Sequence, residues 1–478
     1  MRTSYSLALL FVGGVLTSLP GCRVVGTDYE PPTESVEKKW HADLASGLTA
    51  ERADTAGWWR CFDDPVLDGL VARANDANLD VKEALARVHE ARALRGATAA
   101  DQFPTLDASA SYARRAESKN TPFGDFVPDS DNFALGFDAS WEIDLVGRVK
   151  RSIEAADATV QATIEYARDV AVTVTAEVAR NYVELRSFQR RLAIAKNNVS
   201  LQEQTLELVR GRQSAGLVGE RDVAQALSNV ETTRSRVPTL EVGVRAAENR
   251  LAVLLGRSPG ALAAELGTER AIPVPPASVA VGVPADLLRR RADVRRAERE
   301  LAAEHARIGV AEGDLYPKLT LAGDVGLAAD QLSKLFESQS IAYGYGPTLR
   351  WNLFDAGRLK NRVAAQEART EQAFVKWERT VLIALEETEN AMTAFVREQV
   401  RRQSLLSAAR EARRAVDLSR AQYTEGLEDF QNVLVSERSV TDLEDELAAS
   451  DAAIATQLVA LYKALGGAWD GVASVASR

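Results

Sequence analysis

The chain of 478 residues carries two cysteines, two methionines and three histidines, and each scarcity excludes something. Cys22 and Cys61 are too few for a disulfide framework. His41, His89 and His305 stand in no nucleophile or metal-ligand spacing. Met392 is the only methionine after the initiator, so soft metals find no thioether relay. Gly344-Tyr-Gly346-Pro lacks the following helix and lysine of a phosphate loop. No catalytic residue, metal or cofactor is therefore assigned. Beyond the N-terminus no eighteen apolar residues run together, so any membrane crossing must use β-strands. The formal charge is −10, with acids and bases interspersed. That pattern reads as solvated helix faces and excludes a nucleic-acid surface.

What the chain does have is a duplication. Trp141 recurs as Trp351, Gly147-Arg148 as Gly357-Arg358, Gly216-Leu217 as Gly426-Leu427 and Leu255-Gly256 as Leu465-Gly466, all at an offset of 210. An earlier block, Phe103-Pro104-Thr105-Leu106, matches Tyr316-Pro317-Lys318-Leu319 at 213. Two copies of one supersecondary unit follow.

Each copy reads as helix, strand pair, long helix, turn, helix. In the first, Leu67, Leu70, Val71 and Ala74 set a helical period over Val66–Ala100, which Phe103-Pro104 ends. Leu106–Tyr112 and Phe133–Trp141 alternate with period two around a Pro/Gly/Asp-rich loop. Phe133, Leu135, Phe137, Ala139 and Trp141 share one face, Asp138 and Ser140 the other. Residues 146–213 contain no proline, and Val178, Leu185, Leu192, Val199 and Leu206 recur every seventh position, a coiled-coil seam. Such a rod is roughly 100 Å long. A turn at 214–220 leads to a helix over 221–255 that Pro238 bends. The second copy predicts a helix over 286–314, strands at 319–327 and 343–351, a rod over 357–424, a turn at 425–429 and a helix over 430–465.

The ends and the joint complete the plan. Residues 1–21 read as a secretory signal ending in Leu19-Pro20-Gly21-Cys22, which looks like a bacterial lipobox with Cys22 as the lipid attachment. The expected organisation is a lipidated segment 22–65, repeat 1 over 66–255 with a hairpin at 103–145, a linker 256–285, repeat 2 over 286–466 with a hairpin at 316–355, and a tail 467–478. The linker holds Pro259, Pro273, Pro275, Pro276 and Pro284, shows no period and reads as extended. Cys61 is expected to be a small packed residue.

Two hairpins give four strands, which cannot close a barrel alone. Three chains would supply twelve, an even number consistent with outer-membrane barrels. The fold class is thus mainly α with a membrane β-barrel portion: two tandem repeats, each a β-hairpin plus long coiled-coil helices.

Three further segments carry a family resemblance. Trp58-Trp59-Arg60-Cys61-Phe62-Asp63-Asp64-Pro65-Val66-Leu67, the junction Trp141-Glu142-Ile143-Asp144-Leu145 with Gly147-Arg148, and Val283-Pro284-Ala285-Asp286-Leu287-Leu288-Arg289-Arg290-Arg291-Ala292-Asp293-Val294 resemble a TolC-like outer-membrane factor. The resemblance is to the branch of NodT-type lipoproteins serving resistance–nodulation–division pumps. Ile308-Gly309-Val310-Ala311 and Leu315-Tyr316-Pro317 follow the same pattern. The resemblance implies a homotrimer forming a 12-stranded barrel in outer-membrane lipid and an α-helical tunnel in the periplasm. It implies a passive exit duct for small molecules, with a periplasmic adaptor and an inner-membrane pump as partners. Its periplasmic gate would lie at the two helical turns, drawing on Asp222, Tyr423, Glu425, Glu428, Asp429, Gln431, Asn432 and Val435. Gln431, Asn432 and Val435 depart from the apolar and acidic residues usual there, so the four acids are the candidates for a ring. A type I protein-secretion duct and a heavy-metal efflux duct share this fold, and a lipidated periplasmic adaptor is a more distant alternative.

Overall fold

Periodicity, proline and glycine decide where each element starts and stops. The computed structural model describes residues 24–33, 39–42, 44, 47–51, 55–122, 126 and 128–467. The leader 1–21, Cys22 and the tail beyond Gly467 lie outside them. In chain order the elements are a short strand β1 (Leu48–Thr49), helices α1 (Pro65–Ala77) and α2 (Leu79–Ala100), and strands β2 (Thr105–Arg115) and β3 (Ser130–Ile143). The rod α3 (Arg148–Ser214), helices α4 (Glu220–Arg234), α5 (Arg236–Leu254) and α6 (Ala263–Leu266), and strand β4 (Val279–Ala280) follow. Helices α7 (Pro284–Arg290) and α8 (Ala292–Gly313), strands β5 (Lys318–Ala329) and β6 (Ile341–Arg350), the second rod α9 (Arg358–Thr424) and helix α10 (Phe430–Ala464) complete the chain.

The duplication is kept to the residue. Both rods have 67 residues, and their ends differ by the same 210. Both stop in the same way: Leu217 N–H donates to Arg212 O and Leu427 N–H to Gln422 O, each closing over a glycine at positive φ, Gly216 at 75° and Gly426 at 76°. This Schellman closure satisfies carbonyls that the rod end leaves free.

Two predicted helices are each broken once. The stretch 66–100 divides at Asn78, whose backbone leaves the helical region at ψ 136°. Its Oδ1 caps α2 by accepting from Asp80 N–H at 2.9 Å and Val81 N–H at 3.0 Å, while Nδ2 donates to Leu254 O at 2.8 Å. The stretch 286–314 divides at the equivalent Arg291, which donates to Ala464 O at 3.1 Å. Leu254 and Ala464 are themselves 210 apart, so each repeat ties its broken helix to the end of its last helix. Pro238 interrupts 221–255 at Ser235, because its ring meets the carbonyl four residues back. Ala448 stands at the matching place in α10, which stays continuous.

The linker corrects a simpler expectation. Residues 256–285 are not merely extended: Leu262 and Leu266 are fully buried, and β4 pairs in parallel with β1. Trp40 Nε1 donates to Gly282 O at 2.9 Å, and Trp58 stacks on Tyr462 with ring centroids 5.2 Å apart. Apolar burial without periodicity explains why the sequence hides this packing.

The chain divides into two compact units. One comprises His89–Ala162, Ala297–Trp377 and the N-terminal stretch ending at Pro32; the other comprises Thr33–Val88, Thr163–Arg296 and the stretch from Glu378 onward. In the first unit the two hairpins join through β3 and β5 into one antiparallel sheet ordered β2-β3-β5-β6. Directly opposed residues share a face. One face is apolar from Leu106 through Ala139, Gly323 and Tyr345, and from Tyr112 through Phe133 to Ala329, with no charge between these rows. The other face is polar and small, and sets Asp107, Asp138 and Asp324 in one row across three strands. Trp141 and Trp351 each donate Nε1 to a backbone carbonyl, Gln102 O and Leu315 O, where strands meet helices. Val25 N–H donates to Val146 O at 2.9 Å, and the buried Arg151 guanidinium holds Val25 O, Gly26 O and Asp28. Val25 and Gly26 therefore lie against the start of α3.

Among the described residues no helix is long and apolar enough to cross a membrane.

Candidate functional site: the paired helical turns

The two turns lie in the second unit, where α3 passes into α4 and α9 into α10. Apolar residues at helical spacing converge there. Leu206, Val209, Ala226, Val230, Tyr423, Phe430, Val433 and Leu434 form a buried cluster flanked by Val199, Val218 and Val223. A buried polar layer adjoins it on the same four helices. Glu437, nearly excluded from solvent, accepts from Thr205 Oγ1 at 2.7 Å, Asn229 Nδ2 at 3.1 Å and Arg420 Nη2 at 2.9 Å. A buried carboxylate so paired is costly to break, because any lost partner leaves an uncompensated charge.

Arg212 joins the two turns. Its Nη1 donates to Tyr423 O at 2.9 Å and Thr424 O at 3.1 Å, and its guanidinium lies 4.6 Å from the Tyr423 ring centroid. Cations suit the carbonyl-rich end of a helix. Burial pushes the Tyr423 hydroxyl above its ordinary pKa, with Arg212 pulling it down and Asp222 pushing it up.

The eight sequence-derived candidates separate by exposure. Tyr423 is only 3% exposed and belongs to the cluster, while Asp222 is half-buried, its carboxylate 3.7 Å from Arg221 Nε. Glu428 is half-buried and accepts from Asn432 Nδ2 at 2.8 Å. Glu425, Asp429, Gln431, Asn432 and Val435 are exposed. The same turns present two apolar tips at equivalent positions, Leu217 and Leu427. Sequence reasoning passed over Arg212, Arg420 and Glu437. Glu437 was findable, since Phe430, Val433, Leu434, Glu437 and Thr441 follow the buried stripe of α10. Arg212 carried only the weaker signal of a base in a last helical turn.

Comparison with known proteins gives this geometry a setting. Residues 70–257 and 283–467 match the family described as outer membrane efflux protein. Nodulation protein T of Rhizobium leguminosarum bv. trifolii is 30% identical, over 95% of this chain and 96% of its own. The pyoverdine export outer membrane protein OpmQ of Pseudomonas aeruginosa is 32% identical, over 89% and 90%. The solved outer-membrane channel OprN superposes with a TM-score of 0.87 at 35% identity, covering 93% of this chain and 99% of that one.

Proposed function

The chain belongs to the outer membrane efflux protein family, and we propose that it is the passive exit duct of a tripartite efflux system, working as a homotrimer in the outer membrane. The observation that carries this reading is the sheet, apolar across one face between the Leu106 and Tyr112 rows, polar across the other and, among the described residues, unpaired at both edges. Open edges are not tolerated in lipid. Joined edge to edge with two further copies, β6 against β2, it closes at twelve strands, with the polar face inward. The α9 rod exposes Phe374, Val375, Leu382 and Ile383, an apolar surface that neighbouring copies would cover. Acyl chains on Cys22 add a second hold on the membrane, and the docking of Val25 on Val146 supports an anchor beside the start of α3.

The turns form the periplasmic mouth. Threefold symmetry makes each exposed residue there a ring, so Glu425, Asp429, Gln431, Asn432 and Val435 line it, with Asp222, Tyr423 and Glu428 setting their positions. The exposed Leu217 and Leu427 are the natural seats for an apolar partner, the tips of a periplasmic adaptor that leads from a resistance–nodulation–division pump. The family's channels are not enzymes, and this chain needs no chemistry of its own: the pump supplies the energy. A relative named for pyoverdine export supports small molecules as cargo.

The test is reconstitution of the full chain in planar lipid together with susceptibility of a deletion strain. A conducting trimer and a strain newly sensitive to toxic small molecules are expected. A monomer that passes no ions in any form ends the reading.

A further inference from the structure

We propose that a groove walled by α3, α8 and the N-terminal segment at Tyr29 binds one phospholipid per protomer and selects an ethanolamine headgroup. The inference rests on the duct reading and deepens it by naming a lipid that the outer side of the duct takes. The groove has a volume of about 470 Å³ and is rimmed by Tyr29, Lys150, Glu154, Asp157, Gln161 and Arg299. Its floor is apolar, made by Ile153, Ala158 and Ala302. The four α3 residues of the rim recur every third or fourth position, so they share one helix face. Lys150 is exposed, and its ammonium has no hydrogen bond or ion pair among the described residues. Glu154 and Asp157 accept from arginines outside the rim, Arg151 at 2.7 Å and Arg95 at 2.8 Å. Carboxylates so engaged still have lone pairs to offer. Arg299 is fixed by Glu298 and by Gln161 Oε1 at 3.0 Å, and lies 5.9 Å from the Tyr29 ring centroid.

Two observations bring lipid to this groove. Every junction between the four long strands and their helices exposes a large apolar side chain: Phe103 before β2, Leu145 after β3, Tyr316 before β5, and Leu353 and Phe354 after β6. Such a belt marks the edge of the hydrocarbon layer, and Lys150 follows Leu145 by only five residues. The groove also shares its wall with the segment that leads from Cys22. Val25 of that segment bonds Val146 O, and Tyr29, four residues on, closes the groove. An anchor at Cys22 therefore puts the groove on the lipid side of the duct.

The order of charges along α3 selects the headgroup. Lys150 lies nearest the strands, and Glu154 one helical turn, about 5.4 Å, further along. A phosphodiester seated on Lys150 places an ammonium two carbons away about one turn lower, between Glu154 and Asp157. The N–H groups of ethanolamine can bond those carboxylates, whereas choline has none to donate. A glycerol headgroup brings the phosphate charge with no cation to meet the two acids.

Native mass spectrometry of the full-length trimer, delipidated in detergent, tests this. The probes are phosphatidylethanolamine, phosphatidylcholine and phosphatidylglycerol of identical acyl chains, titrated one at a time. Up to three phosphatidylethanolamine molecules per trimer should be retained at concentrations about tenfold below those the other two need, the shift that one charge-assisted hydrogen bond confers. Lys150→Ala should weaken phosphatidylethanolamine retention about tenfold. Asp157→Asn should narrow the margin over phosphatidylcholine. Equal retention of the three lipids by the unaltered protein overturns the site. So does a Lys150→Ala trimer that binds as the unaltered one does, or a margin kept in full in Asp157→Asn. If a variant fails to assemble, the ranking of the three lipids on the unaltered protein decides alone. A trimer that conducts in planar lipid but ranks the lipids equally removes the site only, whereas a chain that forms no conducting trimer removes the duct reading and the site with it.

Discussion

The Asn78 side chain accepts from Asp80 and Val81 N–H through Oδ1 and donates to Leu254 O through Nδ2, so one buried amide both starts α2 and ties it to the end of α5. Removing it takes away a cap and strands a buried carbonyl. Asn78→Ala should therefore cost about 2 kcal/mol, seen as a lower midpoint of thermal unfolding by circular dichroism. Asn78→Asp is the sharper test. It keeps the capping acceptor but turns an oxygen toward Leu254 O, so it should be at least as damaging as alanine; a near-neutral aspartate would show that the cap alone matters. Cys61 lends itself to a different check. Burial pushes its thiol up to about 12, which leaves the unreactive protonated form at neutral pH. In a Cys22→Ser variant, which leaves Cys61 as the single thiol, a maleimide should label the native protein slowly at pH 7.4 and fully after denaturation, and rapid native labelling would contradict the packed environment.

The turns show what an element's end demands. Gly216 and Gly426 adopt positive φ so that each rod can close its last turn, a conformation that a side chain disfavours by about 1–2 kcal/mol. Gly426→Ala should raise hydrogen exchange locally over 420–432 while leaving the strands unchanged; protection as in the unaltered protein would mean the turn relaxes elsewhere. Much at this scale was legible beforehand. Proline-free stretches between Gly-Arg and Gly-Leu landmarks delimited the rods, strict alternation located β2 and β3, and the repeat placed β5 and β6, while the two-residue β1 and β4 carried no such signal. The breaks at Asn78 and Arg291 were not, because a polar residue inside an unbroken apolar period looks like a solvated helix position. Leu262 and Leu266 were hidden for the opposite reason, being buried without any period at all. At the turns the candidate residues were found from chain position, but which of them face inward was not. Burial of Tyr423 is fixed by residues some two hundred positions away, including the Arg212 that holds it.

On the molecular scale the two faces of the sheet assign two solvents. Between the Leu106 and Tyr112 rows the apolar face has no charge for lipid to reject, and the polar face gathers acids in register, Asp107 beside Asp138 beside Asp324, with Gly344 completing the row on β6. In the closed trimer proposed above this row would become a belt of carboxylates around the lumen, and the missing side chain at Gly344 would leave it open at each protomer's edge. Such a belt concentrates cations and repels anions. Its reach is about 10 Å at 0.1 M salt and about 3 Å at 1 M, so the selectivity it confers must fade as ionic strength rises. Replacing all three by asparagine preserves size and hydrogen-bonding capacity while removing the charge. In a salt gradient across planar lipid, the unaltered duct should show a cation-selective reversal potential at low salt. The triple variant should move that potential toward zero, with little change left to see at high salt. The turn acids give the control: neutralising Glu425 and Asp429 should alter selectivity only if the mouth, rather than the barrel, is the narrower filter. A triple variant whose reversal potential equals that of the unaltered protein at low salt would place Asp107, Asp138 and Asp324 outside the conducting path, and with them the face of the sheet assigned to the lumen.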